Sequence, residues 1–589
     1  MKHCAEDPPA WTATEESQPD EPVGPVRWDS LSHRGWQYFL DLRRSDASVL
    51  CYDCMEGATS LLLSRLYRHV TVINARAEQV EKIQRRLSME GVTAVSYRIV
   101  RQAADFLALG NPPYDGIVIH DLAGTIVRRV QRGDDLPSLE ELLKGAYAVL
   151  APDGFAYVGM RNRHSYSRLR EGWRNAAYRR SLTVGAGRQM LAAAGFRAIA
   201  SYPLLLEGPR IAEVIPARGY RSARGALSFG EKFKESALGR WGARQFASGY
   251  GLVARKDDAP TESALERLLN GHREYGLPIP PGPLELKRYL VLNWGKVILS
   301  IGTGPSRYGE YVLVLTGERL PTLRRRREAR MLSALAERQL ATGKLIPRFL
   351  GEFPVDGATC FVMRAFPGLS IDQPVPWLDQ LTAQAADFIS RLQSETCCTT
   401  TIDEAAYSRL FGDLFHRARA RNAPLVPELA SLEAAVRAVV MGMELPIVWF
   451  HGDYKIENLI FDDTTQELLG VIDWELSDEH GLPMLDLLYL LIYNRMLRES
   501  VDLLSALGSL VLRGPRENER SVFARYTSQV PVSTSVQKIL QAMFFVHHFG
   551  VRYKYLLDSE EEVRRVREML VVLERAARAG RSVSALAQA

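Results

Sequence analysis

The chain reads as a mostly parallel α/β sheet followed by a second, two-lobed α+β unit, and three observations predict this. Between Ser48 and Met160 short apolar strands alternate with helical stretches, the spacing of βαβ units. From Arg288 the texture turns β-rich, and from about residue 375 apolar side chains recur at three- and four-residue spacing, as in packed helices. Between Ile447 and Glu475 two apolar strands, joined by an Asp-rich turn, carry acidic and amide side chains at their exits.

Bulk properties bound the rest. A chain of 589 residues is too long for one core and predicts three or four folding units. Apolar content of 46% and charged content of 24% are ordinary for soluble globular protein. The excess of Lys+Arg (74) over Asp+Glu (69) is too small to argue for an anionic partner, and no nucleic acid is expected. No apolar run approaches the roughly 20 residues of a membrane span, so no membrane partner is expected. Six scattered cysteines make no disulfide framework, which places the protein by default in a reducing cytoplasm. Oligomeric state has no signature.

In chain order, residues 1–30 are rich in Pro, Glu, Asp and Thr and read as a disordered tail. Residues 31–255 form the α/β unit, with strands at 48–52, 70–73, 95–100, 115–120 and 154–160 and helices between them. Cys51 and Cys54 form a CxxC above the first strand; with no second pair at zinc spacing, two small residues filling a loop is the plainer reading. Residues 256–285, a short polar helix and then the Pro-rich Gly276–Pro283, read as a stiff, extended interdomain linker. Residues 286–366 hold the β-rich small lobe, and residues 367–589 a helical large lobe.

The stretch IVWFHGDYKIENLIFDDTTQELLGVIDWE delivers His451, Asp453 and Asn458 to the exit of one strand and Asp473 to the exit of another. Phosphoryl transfer needs such a set: a carboxylate for the attacking hydroxyl's proton, and an amide oxygen and a second carboxylate for Mg²⁺. HGDYKIEN followed by VIDWE resembles the catalytic and metal-binding loops of the aminoglycoside phosphotransferase and choline-kinase-like families, relatives of protein kinases. The resemblance implies a bilobal kinase-like α+β domain that uses ATP and Mg²⁺ to phosphorylate a small-molecule hydroxyl. It makes Asp453 the catalytic base, Asn458 and Asp473 the Mg²⁺ ligands, His451 a loop brace and Lys455 a phosphate contact. Asp486, near the start of the apolar helix after GLPM, would brace the catalytic loop by accepting its backbone N–H groups.

In the small lobe, Gly302, Gly304 and Gly309 lie between two strands, where a Gly-rich turn would cover the nucleotide phosphates. CFVMRAFPG resembles the hinge, with backbone groups of Met363, Arg364 and Ala365 toward adenine. Glu328 matches the family's helix glutamate, but its expected partner, a strand lysine on the phosphates, is absent from Tyr-Val-Leu-Val-Leu-Thr. Lys296 and Lys344 are the nearest alternatives. The run Arg324–Arg327 reads most simply as a solvated helix face. His547 and His548 are candidates for an acceptor pocket or for the core.

Residues 31–255 resemble a class I S-adenosylmethionine-dependent methyltransferase, a Rossmann-like sheet, through VLCYDCMEGATSLLL, PYDGIVIHDL and GYGLVARK. The family's first-strand acid falls on Cys51, and of its loop glycines only Gly57 survives. The ribose-gripping acid falls on Asn74. The resemblance therefore implies S-adenosylmethionine at Gly57 and Asn74, while the eroded loop points to an inactive or repurposed site. Three readings stay open: a small-molecule kinase fused to a degenerate methyltransferase-like sheet, a bifunctional methyltransferase–kinase, and a nucleotide-binding scaffold.

Overall fold

The computed structural model describes residues 2–3, 36–39, 46–52, 57–89, 92, 95–109, 113–121, 138–163, 182–207, 210–214, 247–258, 263–292, 296–304, 306, 308–317, 319–551 and 560–587. Within the expected tail, β1 (Lys2–His3) pairs in parallel with β15 (Cys398–Thr401); the remainder of residues 1–30 lies outside the described residues.

The amino-terminal strands are β2 (Ser48–Tyr52), β3 (His69–Asn74), β4 (Val95–Ile99), β5 (Tyr114–Asp121), β6 (Leu150–Arg161), β7 (Ile199–Glu207), β8 (Arg210–Val214) and β9 (Gly249–Arg255). They hydrogen-bond in the order β4-β3-β2-β5-β6-β9-β7-β8. The first five are mutually parallel, and β9 enters antiparallel between β6 and β7. Such a sheet is covered on both faces, which is why Val49, Leu50, Val118 and Ile119 are all buried although neighbours point to opposite sides. The strand order reverses between β2 and β5, the switch point where doubly wound sheets bind ligands.

The small lobe continues the same sheet. Its strands β10 (Glu285–Val291), β11 (Val297–Gly302), β12 (Tyr311–Thr316), β13 (Phe349–Val355) and β14 (Ala358–Arg364) are antiparallel in the order β13-β14-β12-β11-β10. β10 then pairs with β8, Tyr289 opposite Val214 and Leu290 opposite Glu213, giving one sheet of 13 strands.

The segment expected as an extended linker is packed. Ser263 and Glu266 close a capping box on the helix Ala264–Asn270. Leu265, Leu268, Leu277 and Ile279 are buried in a core shared with Tyr38 and Phe39 on one side and with Tyr289, Leu299 and Val362 on the other. Arg267, also buried, pairs with Asp356 of the small lobe at 2.7 Å. Proline stiffens this stretch, but its leucines carry it into the interior.

The large lobe surrounds the helices Leu378–Thr396, Leu485–Glu499 and Thr534–Val551, whose apolar faces form one core. Two small sheets sit above them: β15, β16 (Glu444–Phe450) and β19 (Asp478–Gly481), and the hairpin β17 (Leu459–Phe461)–β18 (Leu468–Val471). Among the described residues no helix is long and apolar enough to cross a membrane.

Candidate active site

The catalytic-loop residues are placed by the buried strand β16 and by a set of backbone locks. Gly452 adopts φ +82°, and a Cβ there would run into the Leu476 carbonyl oxygen. Asp486, completely buried, accepts from the backbone N–H groups of His451 (2.8 Å) and Gly452 (2.9 Å) and from the Gln393 amide (3.0 Å). Burial pushes its carboxyl up to about 7, against those three donors.

His451 joins the two loops. Its Nε2 lies 2.9 Å from the Ile472 carbonyl, which can only accept, so that nitrogen carries the proton. Its Nδ1 accepts from the Asp453 backbone N–H at 3.3 Å. The ring is thus a neutral brace of fixed tautomer. Asn458 donates its amide to the Asp453 carbonyl at 2.8 Å, which fixes the amide so that its oxygen points the other way. The Ile472 N–H donates to the Asn458 carbonyl, and the β17–β18 hairpin pairs Leu459 with Val471. Asp453, Asn458 and Asp473 therefore flank one hairpin mouth. Lys455 Nζ stands 3.7 Å from the Asp453 carboxylate and 2.9 Å from Glu457.

Asp473 is held in the left-handed region at φ +68°, uncommon for a residue with a side chain and typical of functional loops. Glu328 reaches across from the helix Arg319–Glu337 and accepts the Trp474 backbone N–H at 3.0 Å. The expected solvated arginine face is corrected here. Arg325 is buried (4% side-chain exposure) and pairs with Glu328, with Asp473 at 3.0 Å and with Glu475 at 3.1 Å. Arg327 donates to the Ser477 carbonyl and to Asp478. Arg326, paired with Glu352, is the most exposed of the three, and Arg327 is part-exposed. A signal was available: Arg325 lies three residues before Glu328, hence on the same helix face.

Lys296 completes the cluster, 3.2 Å from Glu475. Burial opposes ionisation of Asp473, but Lys296 and Arg325 outweigh it and hold the carboxyl down at about 2. Burial raises Glu328, which Arg325 counters. Among the described residues no group of three His, Cys, Asp or Glu forms a self-contained metal site. Asn458 and the second oxygen of Asp473 offer two oxygen ligands, which suits a Mg²⁺ ion that takes its remaining ligands from phosphates and water.

Two small-lobe expectations change. Gly302, Gly304 and Gly309 join β11 to β12 at the hinge end, where the Glu310 carbonyl accepts the Ala365 N–H and Lys287 donates to the Gly304 carbonyl. Lys296, at the opposite end of β11, lies roughly 20 Å away at about 3.3 Å per residue. At the Lys296 end of β11 the Leu292 N–H donates to the Lys296 carbonyl, and residues 293–295 lie outside the described residues. At the hinge, the Arg364 and Ala365 N–H groups already donate to the Arg348 and Glu310 carbonyls, so neither is left for adenine. Met363 is laddered between Val312 and Phe349. His547 is core: it is buried against Tyr489, and burial with Arg417 and Arg327 holds it down at about 4.

In the amino-terminal sheet, Gly57 caps the helix Ala58–Leu66 at φ +97°, and Asn74 is buried at the end of β3. The Asn74 side-chain oxygen accepts the Arg76 N–H at 3.2 Å. Both stand at the switch-point end of the sheet; residues 53–56, including Cys54, lie outside the described residues.

Residues 300–516 match the family model of the phosphotransferase enzyme family. No curated protein matches the chain. Among solved structures, an aminoglycoside phosphotransferase from Streptomyces rimosus is 17% identical, over 44% of this chain and 89% of its own, with a TM-score of 0.29. An aminoglycoside-3′-phosphotransferase of type VIII is 18% identical over 53% and 97%, also at 0.29. A methyltransferase from Thermotoga maritima described as S-adenosylmethionine-dependent is 14% identical over 39% and 90%, with a TM-score of 0.25. The architecture is a doubly wound, mostly parallel sheet, continued by five antiparallel strands and followed by a helical lobe. The loops and the helix glutamate thus lie within the segment, residues 300–516, that is similar to the phosphotransferase enzyme family.

Proposed function

We propose that the protein is an ATP- and Mg²⁺-dependent O-phosphotransferase acting on a hydroxyl of a small molecule in the cytoplasm. The observation that carries this reading is the convergence of Asp453, Asn458 and Asp473 at one hairpin mouth, locked by His451 and Asp486. Asp453 orients the acceptor hydroxyl and takes its proton as the γ-phosphoryl group transfers in line. Lys455, beside that carboxylate, is placed to meet the transferred phosphoryl oxygens. Asn458 and Asp473 would hold Mg²⁺, which when bound would supply charge neutralisation on the phosphates. Positioning by these rigid loops accounts for most of the acceleration.

ADP release from ATP, with and without a panel of aminoglycosides, amino alcohols and sugars, tests this. Asp453→Ala should lower turnover about 10²–10⁴-fold, as loss of a general base does, and Asp473→Ala should abolish the Mg²⁺ dependence. Equal rates in all three proteins exclude the kinase reading and leave a nucleotide-binding scaffold.

For the amino-terminal sheet we infer a ligand site that has lost methyl transfer. Asn74 brings no charge to ribose hydroxyls and its side-chain oxygen is engaged locally. Calorimetry with S-adenosylmethionine decides this: binding followed by methylation of any acceptor favours the bifunctional enzyme instead.

A further inference from the structure

The kinase reading leaves one role unfilled. β12 (Tyr311–Thr316) carries no cation for the nucleotide phosphates, and its Val314 is buried between Ile298 and Phe361. We propose that Lys296, entering from the neighbouring strand, is the residue that contacts the α- and β-phosphates, with Arg325 as the positioning residue that holds the acidic cluster around it. The proposal rests on the phosphotransferase reading and adds the residue which that reading lacks.

The other cations near the lobe interface are committed or misplaced. Lys287 is bound to Glu285 and to the Gly304 carbonyl at the hinge end. Lys344 is exposed on the short 3₁₀ turn Ala341–Leu345. Lys455 belongs to Asp453 and Glu457. Arg325 is buried and divided among three carboxylates, so moving it would strand Glu328 and Asp473. Lys296 differs from each. Among the described residues its ammonium hydrogen-bonds to Glu475 alone, which leaves two of its three N–H donors for a ligand. It stands on the Asp473 side of β11 and is buried, with 11% of its side chain exposed.

Charge points the same way. Lys296 and Arg325 bring two positive charges to the three negative charges of Glu328, Asp473 and Glu475, leaving one in excess beside the metal ligand. A divalent cation held by Asp473 would cancel that excess, and Lys296 would then be free to turn from Glu475 to the phosphates while Arg325 stays paired with Glu328 and Glu475.

The test uses the full-length protein and an ATP analogue whose terminal phosphate is an acyl phosphate. A lysine beside the phosphates attacks the acyl carbonyl, forms an amide, loses a proton to solvent and releases ATP. Peptide mass spectrometry should find Lys296 acylated, and 1 mM ATP with Mg²⁺ should suppress the label at least tenfold. Lys296→Met should lose that label, lower kcat/KM for ATP at least tenfold, and melt within a few degrees of the parent. ATP-protected label on Lys287, Lys344 or Lys455 with Lys296 unmodified, in a protein that still releases ADP, overturns the inference and spares the kinase reading. Absence of any ATP-protected label together with absence of ADP release overturns both. The wild-type labelling stands even if the variant fails to fold.

Discussion

Gly452 and Asp486 show how little freedom the catalytic loop has. At φ +82° any side chain costs about 1–2 kcal/mol from the left-handed backbone alone, and the Leu476 carbonyl would have to move as well. Gly452→Ala should therefore lower the melting temperature by several degrees and cut ADP release, because the shift reaches Asp453 directly. Asp486 adds a pH dependence. Its folded value, about 7, lies above that of the unfolded chain, so the stability it contributes is complete below about pH 4 and is lost as pH rises toward 7. Urea unfolding across pH 4–8 should show the parent losing stability relative to Asp486→Asn, whose side chain does not titrate. Parallel pH profiles for the two proteins would exclude this assignment. Most of the site was legible in sequence at this scale. Asp453, Asn458, Asp473, Lys455 and Asp486 sit in a fixed register, and fixed register is what a tight hairpin imposes. The tautomer of His451 was not legible, since it depends on a carbonyl 21 residues away.

The helix Arg319–Glu337 is the element whose sequence misleads most. Four consecutive arginines look solvated, yet a helix turns 100° per residue and four neighbours must face different ways. Arg325 faces the lobe interface and Arg326 faces Glu352 at the surface. Removing a partner from a buried charge cluster costs about 3–5 kcal/mol, whereas an exposed pair is worth about 0–1 kcal/mol. Denaturant midpoints should thus fall sharply in Arg325→Met and barely in Arg326→Met; equal small losses would return the run to a solvated face. The glycine turn was misassigned for a related reason. A hairpin turn's composition does not say which end of the sheet it closes, and only the pairing of β11 with β12, and of β12 with β14, sets that direction.

At the scale of the molecule, the two halves were legible as folds but not as one body. The alternation of strands and helices announces the parallel sheet, and β-rich then helical texture announces the lobes. Neither signal reports that β8 and β10 pair, because antiparallel edge partners need match only in length and polarity. The consequence is testable. A protein of residues 286–589 alone would leave β10 with an unpaired edge and expose Tyr289, Leu299 and Val362, which the full chain covers with Phe39, Leu265 and Leu268. It would also strand Asp356 without Arg267 in a site where both are more than nine-tenths buried. The fragment should self-associate in light scattering and melt below the full chain, while adding back residues 256–285 restores the ion pair and the leucines but not the edge. A monomeric fragment as stable as the same domain in the intact protein would show that the shared sheet contributes nothing, and that the halves are joined only by chain connectivity.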